Sequence, residues 1–141
     1  MGIFDFLKWK LTKVMHIESR TLMSELLDEY RSGIAVKCYY GDPYNGIGYD
    51  LHKNGQINSE SNFKNGKLHG KQIIWHENGK LKFEGYYQNG NLDGEPKVYY
   101  ENGQINSESN FKDGKADGLF KNWHENGQIN SESNFKDGKA D

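Results

Sequence analysis

The sequence predicts a mainly β fold, an antiparallel meander of tandem 24-residue β-hairpins forming an elongated twisted sheet behind an N-terminal helical cap. Three observations predict it. Asn-Gly returns at Asn54, Asn78, Asn102 and Asn126, always 24 residues later. A second turn follows in the same period at Asn65-Gly66, Asn89-Gly90, Asp113-Gly114 and Asp137-Gly138, and a third glycine at Gly70, Gly94 and Gly118. The composition is polar for a compact globule yet rich in rings, with 34% hydrophobic and 13% aromatic residues. Globular chains usually reach about 45–50% apolar. So many rings argue against disorder, which leaves a shape with much surface and little core.

Residues 1–33 form the cap segment. Phe4, Leu7, Leu11 and Val14 or Met15, then Leu22, Leu26 and Tyr30, recur at helical spacing. Ser19 or Thr21 caps a second helix and Gly33 follows its end. A second reading makes Phe4, Phe6 and Trp9 insert at a membrane surface beside Lys8, Lys10 and Lys13; Glu25, Asp28 and Glu29 oppose it. No apolar run approaches the ~18 residues that span a bilayer. Position 6 is Phe, not the Ser or Thr of a myristoylation signal. Lysines also break up any signal-peptide core.

Residues 34–50 form a degenerate first repeat, with Tyr39 aligned to Phe63 and Gly46 to Gly70. Four units follow at 51–74, 75–98, 99–122 and 123–141. Two turn signals separating two short runs in each unit are a hairpin signature. A three-residue loop, Glu77-Asn78-Gly79, pairs His76 with Lys80 as a type I turn and a left-handed Gly. This register sets Trp75 against Leu81 and Ile73 against Phe83. It collects three columns on one face: Leu51, Trp75, Tyr99 and Trp123; Ile57, Leu81, Ile105 and Ile129; Phe63, Tyr87, Phe111 and Phe135. Small serines lie between the last two. The other face carries Gln56, Asn58, Glu60, Asn62 and Lys64 and is solvated.

Net charge is −2 with acids and bases interleaved, so no basic stripe for nucleic acid exists. The single cysteine, Cys38, excludes a disulfide framework and points to a reducing, cytoplasmic compartment. In a strand-like run it reads as a small apolar residue rather than a nucleophile. His52, His76 and His124 form a column, but equivalent residues two strands apart lie ~9.5 Å apart. Zinc needs its ligands at ~2.0–2.1 Å, and Tyr100 interrupts the series. The column Glu60, Glu84, Glu108 and Glu132 resembles a glycosidase pair in spacing. Its members share one solvated environment, which does not split their pKa values. No nucleophile elbow, phosphate loop or CxxC motif is present. No enzyme activity, metal or cofactor is expected.

The units resemble MORN repeats of the bacterial variant. The residues carrying the likeness are Trp75-His76-Glu77-Asn78-Gly79, Tyr99-Tyr100-Glu101-Asn102-Gly103 and Trp123-His124-Glu125-Asn126-Gly127, with Phe63-Lys64-Asn65-Gly66-Lys67-Leu68-His69-Gly70 and Phe111-Lys112-Asp113-Gly114-Lys115-Ala116-Asp117-Gly118 at the second turn. The resemblance implies an antitoxin or immunity protein similar to the YwqK type, which binds and neutralises a partner toxin by occlusion. The alternative it implies is a structural or membrane-associated scaffold. It supplies no catalytic residues. Partner-binding candidates are Trp75, Tyr99, Trp123 and Phe135, because aromatic residues dominate interface energetics. The opposing reading makes the rings stack on each other. The edge strand around Ile129–Phe135 invites pairing with another chain, including a homodimer.

Overall fold

The computed structural model describes residues 21–22, 27–31, 34–39 and 41–141. Its repeating part is built by two kinds of turn. In the first, Gly79 donates its amide to the His76 carbonyl at 2.9 Å, and His76 donates to the Lys80 carbonyl at 2.8 Å. Gly79 has φ +82°. This is the three-residue loop with a left-handed glycine that the sequence predicts, and it recurs at His52, Tyr100 and His124. In the second turn both central residues are left-handed, Asn65 at φ 51° and Gly66 at 74°, and likewise in the three later units. Two successive positive φ angles make a type I′ turn, whose twist matches a hairpin. Asn and Asp tolerate that conformation better than other side chains.

The strands are β1 (Thr21–Leu22), β2 (Leu27–Arg31), β3 (Ile34–Tyr39), β4 (Asp42–Pro43), β5 (Gly46–Leu51), β6 (Ile57–Lys64), β7 (Lys67–Trp75) and β8 (Leu81–Gln88). They continue as β9 (Asn91–Tyr99), β10 (Ile105–Glu108), β11 (Phe111–Lys112), β12 (Lys115–Ala116), β13 (Gly118–Trp123), β14 (Ile129–Lys136) and β15 (Lys139–Ala140). One open sheet runs β1-β5-β6-β7-β8-β9-β10-β13-β14-β15, with β11 joined to β9 and β12. A separate sheet holds β2-β3-β4.

The N-terminal segment departs from expectation. A second helix was predicted over Leu22, Leu26 and Tyr30, yet Thr21–Leu22 and Leu27–Arg31 are strands. Every residue from Leu27 to Arg31 pairs with one from Ile34 to Cys38, and such pairing overrides a weak helical spacing. The predicted first helix lies outside the described residues, as does its membrane-surface alternative. Strand β3 docks on the first type I′ turn, where the Lys37 amide donates to the Gly66 carbonyl at 2.7 Å. Nearby, the ring of Tyr44 packs edge-on against Phe63 at 5.8 Å. Both are buried, with Leu68 beside them, and form a small core at the N-terminal end of the sheet.

The third glycine of each unit has a structural role. Gly46, Gly70, Gly94 and Gly118 stand directly opposite Phe63, Tyr87, Phe111 and Phe135. All four glycines have positive φ, and a Cβ on Gly46, Gly70 or Gly118 would press on Tyr44, Asn62 or Asn110.

The register holds at the loop and slips above it. Trp75 faces Leu81 as predicted, but a bulge follows, so that Ile74 faces Phe83 and Ile73 faces Glu84. The same irregularity separates Leu51 from Asp50 and Trp123 from Asn122. A one-residue slip moves side chains to the opposite face. The first two predicted columns therefore share one face and the Phe column lies on the other. The single three-column face is corrected accordingly.

Candidate functional site

The two faces differ in chemistry. On one, Ser59, Ser61 and Phe63 alternate as buried residues along β6. Gln72 donates to the Ser61 hydroxyl at 2.8 Å, and Asn122 to that of Ser131 at 3.1 Å. Phe120 lies 5.4 Å from Phe111 and 4.5 Å from Phe135. In the second unit, Phe83 and Gly85 replace the two serines. A Cβ on Gly85 would meet Phe83 Cζ at 2.7 Å, so the ring fills the space that the missing side chain vacates.

The other face is charged. Glu84, Lys97, Glu108, Lys121 and Glu132 follow one another in register across the sheet. Lys71 pairs with Glu84 at 3.4 Å, Lys97 with Glu108 at 3.3 Å and Lys121 with Glu132 at 3.5 Å. Glu108 beside Lys97 raises that lysine's pKa, first through their hydrogen bond. Glu84, Glu108 and Glu132 of the glutamate column are thus each matched by a lysine.

Trp75, Tyr99 and Trp123 end strands β7, β9 and β13 on this charged face, opposite Leu81, Ile105 and Ile129. The Tyr99 hydroxyl donates to Glu84 Oε1 at 3.1 Å. Burial, and then that bond, raise its pKa. The ring contacts among the described residues are those of Tyr44 with Phe63 and of Phe120 with Phe111 and Phe135. The Trp/Tyr row does not stack on itself, contrary to the stacking expected for most of these rings. Large side chains that are more than a third exposed, Leu51, Tyr86, Leu119 and Ile129, lie along the same face. A shallow groove of about 300 Å³ opens there, lined by Glu95, Lys97, Glu108, Ser109, Asn110, Leu119 and Lys121.

Three of the four predicted contact residues are therefore brought together, Trp75, Tyr99 and Trp123. Phe135 is on the reverse face. Sequence reasoning missed Lys97 and Lys121, although their 24-residue separation carried the signal. It also missed exposed Tyr86 and Leu119.

The histidine column has a different role. His52 Nε2 donates to the Trp75 carbonyl at 3.0 Å, and His76 Nε2 to the Tyr99 carbonyl at 2.8 Å. A carbonyl only accepts, so the proton sits on Nε2. Where the series breaks, the Tyr100 hydroxyl makes the same bond, to the Trp123 carbonyl at 2.7 Å. Asn78 and Asn102 add bonds to Glu101 and Glu125 carbonyls, both at 2.9 Å. These side chains tie each loop to the next. Among the described residues no group of three His, Cys, Asp or Glu side chains has a metal-holding arrangement. No helix there is long and apolar enough to cross a membrane.

Comparison with curated proteins and with solved structures finds no match. The MORN repeat variant model matches four times, at residues 44–65, 68–89, 92–113 and 116–137. Each match begins two residues before a ring-facing glycine and ends at the first central residue of a type I′ turn, enclosing one Asn-Gly hairpin. Together they span more than half of the 141 residues, so the chain belongs to the MORN repeat variant family.

Proposed function

We propose that the chain is a non-enzymatic protein-binding module and that its partner sits on the charged face, across Trp75, Tyr99 and Trp123. One observation carries this reading. The row is partly exposed and makes no ring contacts among the described residues, beside a ladder of alternating Lys and Glu. Aromatic anchors with a polar surround are the usual composition of a protein interface. The rings supply contact area, while the charges set register and exclude mismatched partners. In its finer form the proposal makes the partner a toxin whose active site this face occludes.

The test is affinity capture from the native host, comparing the wild type with Trp75→Ala, Tyr99→Ala and Trp123→Ala. Loss of an anchoring ring costs about 2 kcal/mol, or roughly thirtyfold in Kd. A captured protein should weaken by that factor in the variants. For the finer form, coexpression with the wild type should relieve the captured protein's toxicity, and the ring variants should not. Equal capture by all variants, or binding to anionic vesicles in place of a protein, overturns the reading.

A further inference from the structure

We propose that Asn126 is a site of spontaneous hydrolytic modification, deamidating ahead of the two other asparagines that share its sequence. Asn-Gly-Gln-Ile-Asn-Ser-Glu-Ser-Asn-Phe-Lys begins at Asn54, Asn102 and Asn126 without change. The intrinsic reactivity of the Asn-Gly bond is therefore shared, and a difference in rate comes from the fold. The local geometry is shared as well. The amides of His52, Tyr100 and His124 close their loops on the carbonyls of Gln56, Gln104 and Gln128 at 2.8, 2.8 and 2.9 Å. Gly55, Gly103 and Gly127 have φ of 84°, 90° and 84°, and each donates its amide within its loop at 2.9 Å. Oδ1 of Asn54, Asn102 and Asn126 accepts from the Gln56, Gln104 and Gln128 amides at 2.9, 2.9 and 3.0 Å.

What differs is the tie to a neighbouring loop. Asn54 Nδ2 donates to the Glu77 carbonyl at 3.3 Å, and Asn102 Nδ2 to the Glu125 carbonyl at 2.9 Å. Asn126 Nδ2 has no such acceptor among the described residues. The second tie is missing too. His52 and Tyr100 bind the carbonyls of Trp75 and Trp123, whereas His124 makes no such bond there and is exposed. The Asn126 carboxamide is thus held at one atom where those of Asn54 and Asn102 are held at both.

Deamidation starts when the Gly127 amide nitrogen, having lost its proton to a base in solvent, attacks Asn126 Cγ. The new N–C bond closes a cyclic imide, and the side-chain nitrogen takes up a proton and leaves as ammonia. Water then opens the imide at either carbonyl, giving aspartate or isoaspartate, and nothing is oxidised or reduced. Gly127 has no Cβ to hinder the approach. Attack needs the reacting atoms at about 3–3.5 Å, so the carboxamide must first leave the bonds that hold it. Two such bonds break at Asn102 and one at Asn126. One hydrogen bond fewer corresponds to about fivefold in rate. Aspartate at 126 keeps an acceptor for the Gln128 amide and adds a negative charge in the loop that follows Trp123. Isoaspartate lengthens that loop's backbone by a carbon. At Asn102 the acid product would set a carboxylate against the Glu125 carbonyl, so there the tie guards a position that the product does not fit.

Peptide mapping of the full chain after incubation at mildly alkaline pH tests this. Tryptic cleavage after Lys53, Lys97 and Lys121 puts the three asparagines on distinct peptides, 54–64, 98–112 and 122–136. Fragment ions in the mass spectrum then place the change at the Asn-Gly pair. In the folded chain, conversion at Asn126 should outrun that at Asn102 about fivefold, and that at Asn54 should also lag behind Asn126. In concentrated urea the three rates should converge. Asn126→Gln should remove the earliest acidic species from ion-exchange profiles of the intact protein. Equal rates in the folded chain overturn the proposal. So does an absence of conversion at Asn126, or a preference for Asn126 that persists in urea.

Discussion

At the scale of single residues, the ring-facing glycines separate two costs. Gly118 has φ +121°, and a Cβ there would lie 2.9 Å from Asn110 Cβ. Gly94 has φ +88° and nothing within 4 Å of its Cβ position. Alanine at Gly94 therefore pays only for the backbone conformation, on the order of 1–3 kcal/mol. Alanine at Gly118 adds a clash with a side chain whose Nδ2 is held by the Leu119 carbonyl at 2.8 Å. Urea denaturation should rank Gly118→Ala below Gly94→Ala, and both below the wild type. Equal midpoints would remove steric contact as the reason for glycine at 118.

Asp117 provides the pH-dependent pair. Its hydrogen bond with Lys136, at 2.9 Å, holds its carboxyl below the usual carboxylate range. A folded pKa lower than the unfolded one gives stability that is present at neutral pH and lost as pH falls through the folded value. Asp117→Asn should make the acid limb of the stability-versus-pH curve shallower. An unchanged limb contradicts that assignment. The pair is exposed, so the change is small and weakens further in salt.

At the scale of elements, the same sequence adopts two structures. Residues 57–64 and 129–136 are continuous strands, but residues 105–112 break at Ser109 and Asn110 into β10 and β11. The cause lies on the neighbouring strand, where Pro96 stands at the position of Gln72. Proline has no amide to donate and interrupts a ladder. What remains is a long bond from the Ser109 amide to the Pro96 carbonyl at 3.3 Å. Pro96→Gln should restore the donor and place a carboxamide near Ser109, as Gln72 stands beside Ser61. Hydrogen exchange at residues 109 and 110 should slow. Unchanged exchange would mean that Pro96 is not what splits the strand.

The turns were legible in the sequence because their chemistry is local. Asn-Gly and Asp-Gly demand positive φ, and the period marks which of them are structural. The His76–Lys80 closure follows from those residues alone. The bulge between Ile74 and Trp75 has no such signature. Without it, Phe63, Tyr87, Phe111 and Phe135 fall on the wrong face together. Residues 27–31 were misread for a related reason: Leu22, Leu26 and Tyr30 fit a helical spacing, while the pairing of β2 with β3 depends on a second segment that spacing does not register. Of the candidate site, the Trp/Tyr row was legible as a repeat position. Its separation from Phe135 was not, because that depends on the same bulge.

At the scale of the whole molecule, repetition extends small local bonds into a long object. Each unit contacts its neighbours, and the His, Tyr and Asn side chains of one loop bind backbone carbonyls of the next. Stability in such arrays is close to a sum of unit and neighbour terms. The sheet that results has a charged side carrying Trp75, Tyr99 and Trp123 and an uncharged side carrying the phenylalanines. The proposed partner binds the charged side, so its binding depends on how each unit divides its rings.

Ring-to-ring nuclear Overhauser effects measure that division directly. The structure predicts contacts between Phe120 and Phe135, whose centroids lie 4.5 Å apart, and between Phe120 and Phe111. It predicts none between the Trp123 indole and the Phe135 ring. A Trp123–Phe135 contact, with the Phe120–Phe135 contact missing, would place all the rings on one side and contradict the account.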